Sequence, residues 1–262
     1  MQTKEIQGAL WSTAPADWAG YMEPTFIPLY QAVLDELMLD EEKMILDAGC
    51  GSGLFLSMAS ATGASIHGID AAPGLLSIAK ERLHGVTLLS EDLEALPFID
   101  GTFDVVTGFN SFQYAGSFEK ALAEATRVVK RYGRIVIGLW GREAVCEATH
   151  VLRAVTALMP PPPPDAQAHF VPSDDWDVQD YCKAAGLSIV KKEAVFTPWS
   201  FTSDEALVKA FLSTAHCAKA VQAVGEAEVI ETILSNAQPF NVADQVYYMR
   251  NYINFYITRK TR

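Results

Sequence analysis

Met44-Ile45-Leu46-Asp47-Ala48-Gly49-Cys50-Gly51-Ser52-Gly53-Leu54-Phe55 decides the fold. The first five residues have the apolar content of a short buried strand, and Leu54-Phe55 begin a pattern that predicts a helix to about residue 61. Between them, three glycines at alternate positions make a sharp turn and leave no side chains on the surface a ligand would meet. The free N–H groups at the start of the next helix face that ligand. Such a turn suits a nucleotide-like cofactor.

Working outward, strand and helix alternate. Ser65-Ile66-His67-Gly68-Ile69-Asp70 reads as a second strand. Pro73 suits the first turn of a helix that carries Leu75, Ala79 and Leu83 on one face. Residues 86–89 make a third strand, and Asp100-Gly101 turn the chain into a fourth at 103–108. Ser117 caps a helix with Phe118, Ala121, Leu122, Ala125 and Val129 on one face, which Lys130, Arg131 and Gly133 bring to its end. A strand at 135–139 closes the run. This alternation predicts an α/β, doubly wound, mostly parallel sheet with helices on both faces.

The flanks are less regular. Trp11, Trp18, Tyr21 and Phe26 are interrupted by Pro15, Pro24 and Pro28, so residues 1–28 do not form one long helix. A helix is predicted over 29–39. After the sheet, helices are predicted over 143–158 and 174–185, separated by the stiff run Pro160 to Pro164. A strand follows at 187–196, then helices over 203–213 and 215–236. The strand formers of 246–257 make a last strand of the same sheet.

Composition narrows the function. Half of the 262 residues are hydrophobic and a fifth are charged, enough for one packed domain. The net charge of −12 argues against a phosphate-tracking surface, so nucleic acid is not an expected partner. The N-terminal residues have no signal-peptide core, and no run spans a bilayer. Cys50, Cys146, Cys182 and Cys217 have no paired spacing, and the expectation is a cytoplasmic protein with reduced thiols. Oligomeric state is not legible.

The acid at the end of the second strand, about twenty residues beyond the glycine turn, completes a nucleoside-binding pattern. Here it is Asp70, placed to accept from the ribose hydroxyls. A dinucleotide fingerprint needs a further glycine three residues after its second. That position is Leu54 counted from Gly51, or Leu56 counted from Gly53. A nicotinamide or flavin dinucleotide is therefore disfavoured. The Gly-Lys-Ser/Thr ending of a triphosphate loop is also missing.

The stretch from Leu46 to Gly53 resembles the first motif of class I S-adenosylmethionine-dependent methyltransferases, and later landmarks follow in order. Ile69-Asp70 resembles the ribose-binding strand end. Glu91-Asp92-Leu93-Glu94-Ala95-Leu96-Pro97-Phe98 resembles the adenine-binding segment. Phe103-Asp104-Val105-Val106, with Asn110 after it, resembles the fourth-strand motif. Lys130-Arg131-Tyr132-Gly133 stands where that family usually has Pro-Gly-Gly. The resemblance covers roughly residues 29–139.

It implies a seven-stranded, Rossmann-like sheet with the last strand antiparallel and a helical cap inserted. Within one domain spanning 1–262, it implies an aromatic lid at 1–28, a cofactor core at 29–139 and helices with the proline-rich connection at 140–186. A substrate cap at 197–243 and a final strand at 244–262 complete it. The implied cofactor is S-adenosyl-L-methionine. Backbone around Gly49, Cys50, Gly51 and Gly53 would pass its methionine part, with Asp47 near the amino group. Asp70 and Ala71 would meet the ribose, Asp92 and the N–H of Leu93 the adenine, and Asn110 with Phe112 the reacting end. Read without the resemblance, each acid is also a capping or solvated residue.

Methyl transfer needs no recognisable catalytic constellation, since the cofactor brings the reactivity. His169 is a candidate base, weighed against a surface histidine; His150 and His216 rank below it. Cys146 and His150 sit four apart on a predicted helix but lack a second pair, so no metal is expected. Trp11, Trp18, Tyr21, Tyr114, Trp140, Phe170 and Trp199 are candidates for an aromatic substrate pocket that suits a small-molecule acceptor. The expected activity is methyl transfer to O, N or C. The other reading is a non-catalytic sensor of S-adenosylmethionine or its demethylated product.

Overall fold

The computed structural model describes residues 3–161 and 175–260, with side chains at 175 and 176 left aside. The expectations for His169 and Phe170 lie outside the described residues. The N-terminal segment folds as α1 (Thr3–Trp11), α2 (Pro15–Asp17), a wide π-helical turn at Trp18–Met22 and a tight 3-10 turn at Glu23–Phe26 that lead into α3 (Ile27–Leu37). Pro15, Pro24 and Pro28 each fall in the first turn of one of these pieces, where a missing N–H costs nothing.

The sheet core alternates as expected: β1 (Met44–Ala48), α4 (Leu54–Ser60), β2 (Ser65–Ile69), α5 (Pro73–Arg82), β3 (Thr87–Leu89), β4 (Phe103–Phe109), α6 (Phe118–Val128) and β5 (Val129–Trp140). Beyond it come α7 (Ala148–Ala157), α8 (Asp175–Ala184), β6 (Leu187–Phe196), β7 (Trp199–Phe201), α9 (Asp204–Leu212), α10 (Ala215–Val224), α11 (Glu226–Ala237), β8 (Asn241–Ala243), β9 (Val246–Met249) and β10 (Tyr252–Lys260). Seven strands form one sheet in the order β3-β2-β1-β4-β5-β10-β6. β10 runs antiparallel between β5 and β6, and the pairs from β3 to β5 are parallel. Leu29, Val33 and Leu37 of α3 pack on one face, and Ala121, Leu122 and Ala125 of α6 on the other.

Several boundaries differ from the sequence reading. α6 stops at Val128, because Val129 is extended and pairs with Phe103; Arg127 is already the basic residue of its last turn. The turn that lacks Pro-Gly-Gly is absorbed into β5 by Tyr132, which adopts a left-handed φ of 64°. The helix expected from 143 is a single 3-10 turn at Glu143–Val145 followed by α7. Between them, Glu147 takes bonds from Arg250 and the Cys146 thiol donates to the Tyr252 carbonyl.

The stretch 215–236 is two helices, broken at Gly225, whose φ of 92° no helix accommodates. The tail is two strands. Asn251 is fully buried at the break, accepting from Ala148 N and donating to Met249 O. β9 therefore leaves the main sheet and joins β7 and β8 in a small antiparallel sheet. The 197–243 insert is thus helical with a strand at each end.

Candidate active site

The loops after β1, β2, β4 and β5 meet at the carboxyl edge of the sheet, where strand order reverses and open α/β sheets bind ligands. A cavity of about 380 Å³ lies there. Gly49, Gly51, Asp70, Ala71, Asp92, Leu93 and Asn110 line its near end.

The glycines of the turn serve different ends. Gly49 (φ 89°) is packed by the protein itself: a Cβ there would lie 2.3 Å from the Cβ of Ser111, whose hydroxyl donates to the Ala48 carbonyl. Gly53 is backed by Ala79 of α5 and by Leu83 just past its end. Gly51 (φ 54°) faces the cavity, and a Cβ there would meet only Glu23 Oε1 and Trp18 Nε1, each at 3.6 Å. A bare backbone lies there against the open space.

Asp70 holds this turn in place. Its carboxylate accepts from Gly51 N and from Ala72 N, both at 2.8 Å, and so ties the glycine loop to the start of α5. Burial raises its pKa, against the pull of those backbone bonds. Asp92 turns the next loop by accepting from Glu94 N at 3.0 Å. Asn110 sits at φ 49° just past β4, where its side-chain oxygen accepts from Gln113 Nε2 at 3.4 Å.

Asp47 lies beneath the turn, 2 % exposed, and accepts from the Thr107 hydroxyl at 2.7 Å. Burial pushes its pKa up to about 7, with Asp70 and Glu23 adding in the same direction. An acid whose folded pKa is raised stabilises the fold fully below its unfolded pKa, near 4, and loses that contribution as pH climbs through 7. Asp47→Asn keeps a hydrogen-bonding side chain and removes the titration. Relative to wild type, it is expected to gain on the order of 3 kcal/mol between pH 5 and pH 8. Urea unfolding at the two pH values measures this, and parallel changes in the two proteins would refute it.

The N-terminal segment closes the cavity. α1 rests on the loop after β2 so tightly that a Cβ at Gly8 would lie 2.2 Å from the Ala71 carbonyl oxygen. Lys4 donates to the Ser90 carbonyl, and Gly74 N donates to Ser12 Oγ. Glu23 is the strongest tie and was not foreseen from sequence. It is 2 % exposed, pairs with Arg82 at 2.7 Å and accepts from Leu54 N at 3.4 Å. Arg82 also donates to the Ser52 carbonyl. The lid is thereby fastened to the glycine turn and the start of α4. An acid inside an aromatic, proline-broken run was the available signal.

Of the expected aromatic residues, Trp11, Trp18, Tyr114, Trp140 and Trp199 line the cavity. Tyr21 does not, and lies under Lys209 in a cation–π contact. Phe112 is buried behind the site, against Gly108 and Phe118. Asp47, Cys50 and Gly53 support the turn from below without lining the cavity. Phe26, Tyr30, Phe109, Phe211 and His216 line it although the sequence reading had not placed them there. His216 Nε2 lies 2.9 Å from the Thr156 hydroxyl and 3.3 Å from the Leu152 carbonyl. Burial lowers its pKa and so disfavours the charged ring. His150 stacks edge-on to Phe240, and no group of metal-binding side chains occurs among the described residues.

The near end fits an S-adenosyl cofactor on the chain's own features. Gly51 leaves a cradle that a side chain would fill, two acids stand beside it, and the buried Trp18 Nε1 above it donates to no described group. Fold and site together define a nucleoside-binding, Rossmann-like domain with a roofed cavity. Residues 46–137 match the family described as a methyltransferase domain.

Demethylmenaquinone methyltransferase of Thermus thermophilus is 41 % identical over 101 residues, covering 36 % of this chain and 46 % of that protein. The match thus spans about half of that relative. Among solved structures, the Haemonchus contortus phosphoethanolamine N-methyltransferase 2, in complex with phosphomonomethylethanolamine and S-adenosylhomocysteine, superposes with a TM-score of 0.63 at 17 % identity. That alignment covers 100 % of this chain and 61 % of the other. The [4+2]-cyclase SpnF superposes at 0.57 with 19 % identity, over 88 % of this chain and 80 % of its own. Likenesses at this identity establish the fold alone. No helix among the described residues is long and apolar enough to cross a membrane.

Proposed function

We propose that the chain transfers a methyl group from S-adenosylmethionine to a small-molecule acceptor at oxygen, nitrogen or carbon. The observation that carries this reading is the continuity of the cavity: the glycine turn, Asp70 and Asp92 at one end open directly onto an aromatic chamber at the other. An extended polymer would call for an open, charge-complementary groove. The name of the Thermus relative is in keeping with a small acceptor.

When bound, S-adenosylmethionine supplies a methyl group on a sulfonium that is displaced in line, so the protein's work is alignment and exclusion of water. In this reading the Asp70 carboxylate accepts from the ribose hydroxyls with its remaining lone pairs, while its bonds to Gly51 and Ala72 keep it oriented. Asp92 and the N–H of Leu93 hold the adenine. The backbone at Gly49 and Gly51 holds the methionine part, Asp47 supports that turn from below, and Asn110 borders the reacting end. The Glu23–Arg82 tie keeps the lid down and the chamber dry.

Incubation with methyl-labelled S-adenosylmethionine and a panel of small hydroxylated, amino and carbon-acid acceptors tests the proposal by label transfer and by release of S-adenosylhomocysteine. A second reading, a non-catalytic binder, draws on the close seating of α1 over Ala71, which roofs the cavity. Tight cofactor binding without turnover of any acceptor would favour it.

A further inference from the structure

The far half of the cavity has a chemistry of its own. Phe26 is its hub, with ring centroids 6.0 Å from Trp18, 6.3 Å from Tyr30, 6.2 Å from Trp140 and 6.4 Å from Trp199. Phe211 closes the wall at 5.6 Å from Trp199. The charged residues that line the cavity, Lys4, Asp70 and Asp92, all belong to α1 or the strand-end loops of the cofactor end. His216 is the imidazole on the far wall, and burial lowers its pKa, which disfavours the charged ring. An anionic acceptor would find no cation here to replace its water. A protonated or quaternary amine would find aromatic faces but no carboxylate.

Trp199 adds the deciding polar group. Its side chain is 2 % exposed, and its Nε1–H donates to nothing among the described residues. A buried donor without a partner is costly, and such groups in folded proteins call for an explanation. A ligand oxygen supplies one; a cation beside that N–H would be repelled by it. We propose that the acceptor is an uncharged, flat, predominantly aromatic molecule bearing an oxygen, and that the Trp199 indole N–H donates to that oxygen. This rests on the methyltransferase reading and names the substrate class for the same site.

The test uses the full chain loaded with S-adenosylhomocysteine, whose own affinity is measured first by calorimetry. Failure of that step strikes the cofactor reading; the following steps concern the acceptor alone. Binding of 2-naphthol, naphthalene, 2-naphthoate and (2-naphthylmethyl)trimethylammonium is then compared in wild type and Trp199→Phe. The neutral naphthol is expected to bind at least about tenfold tighter than either charged probe. Trp199→Phe keeps the ring and loses the N–H, so naphthol binding should weaken about five- to tenfold, as for one neutral hydrogen bond, with naphthalene unchanged. Unchanged affinity for S-adenosylhomocysteine certifies that the variant folds. Should it not fold, the wild-type preference for naphthol over naphthalene carries the test. Tighter binding of a charged probe, no binding of naphthol, or equal losses for naphthol and naphthalene would overturn the proposal.

Discussion

Gly49→Val is expected to abolish binding of S-adenosylhomocysteine and to destabilise the fold by roughly 2–5 kcal/mol, the sum of a left-handed backbone penalty and overpacking. The added Cβ would lie 2.3 Å from the Cβ of Ser111, and Ser111 cannot retreat without giving up its bond to the Ala48 carbonyl. Gly51→Ala separates folding from binding. Its methyl meets Trp18 and Glu23 at 3.6 Å, an ordinary contact, and the φ of 54° costs about 1–2 kcal/mol. That variant should fold yet bind cofactor at least about tenfold more weakly, because the methyl fills the cradle. Thermal unfolding and calorimetry read both. A Gly49→Val protein as stable as wild type, or a Gly51→Ala protein with full affinity, would contradict the division of labour between the two glycines.

Asp70→Ala is expected to weaken cofactor binding by more than about tenfold, and its effect has two parts. The carboxylate accepts two backbone N–H groups at 2.8 Å, so alanine frees the glycine turn from α5. Charge-assisted bonds of this kind are the stronger class, and loss of two should lower stability by about 2 kcal/mol or more. Alanine also removes the acceptor offered to the ribose. Urea unfolding reads the first effect and calorimetric titration the second. Undiminished affinity would remove Asp70 from the site.

The sheet core was legible because its signals are local. Strand ends, Pro73 at a helix start, the Ser117 cap on Lys120 N and the spacing from the glycine turn to Asp70 are all set within a few residues or one β–α unit. What sequence misjudged depended on distant partners. Val129 left its helix to pair with Phe103, and β9 left the main sheet because Asn251 is buried against Ala148 and Met249. The site divides the same way. Asp70, Asp92 and Asn110 follow strand ends, so their approach to the cavity could be read from order alone. Glu23, Tyr30 and His216 reach it only through the packing of lid, α3 and cap, which leaves no spacing pattern. Tyr21, an aromatic among aromatics, faces Lys209 instead. Composition named the kind of wall and left its members open.

The most direct measurement is calorimetric titration of the wild-type chain with S-adenosylhomocysteine and, in parallel, with NADH. The expected result is one-to-one binding of S-adenosylhomocysteine in the micromolar range or tighter and no saturable binding of NADH, since Leu54 and Leu56 stand where the dinucleotide turn needs glycine. A folded protein that binds NADH, or that leaves S-adenosylhomocysteine unbound at millimolar concentration, would contradict the assignment of the Gly49–Gly53 turn to an S-adenosyl cofactor.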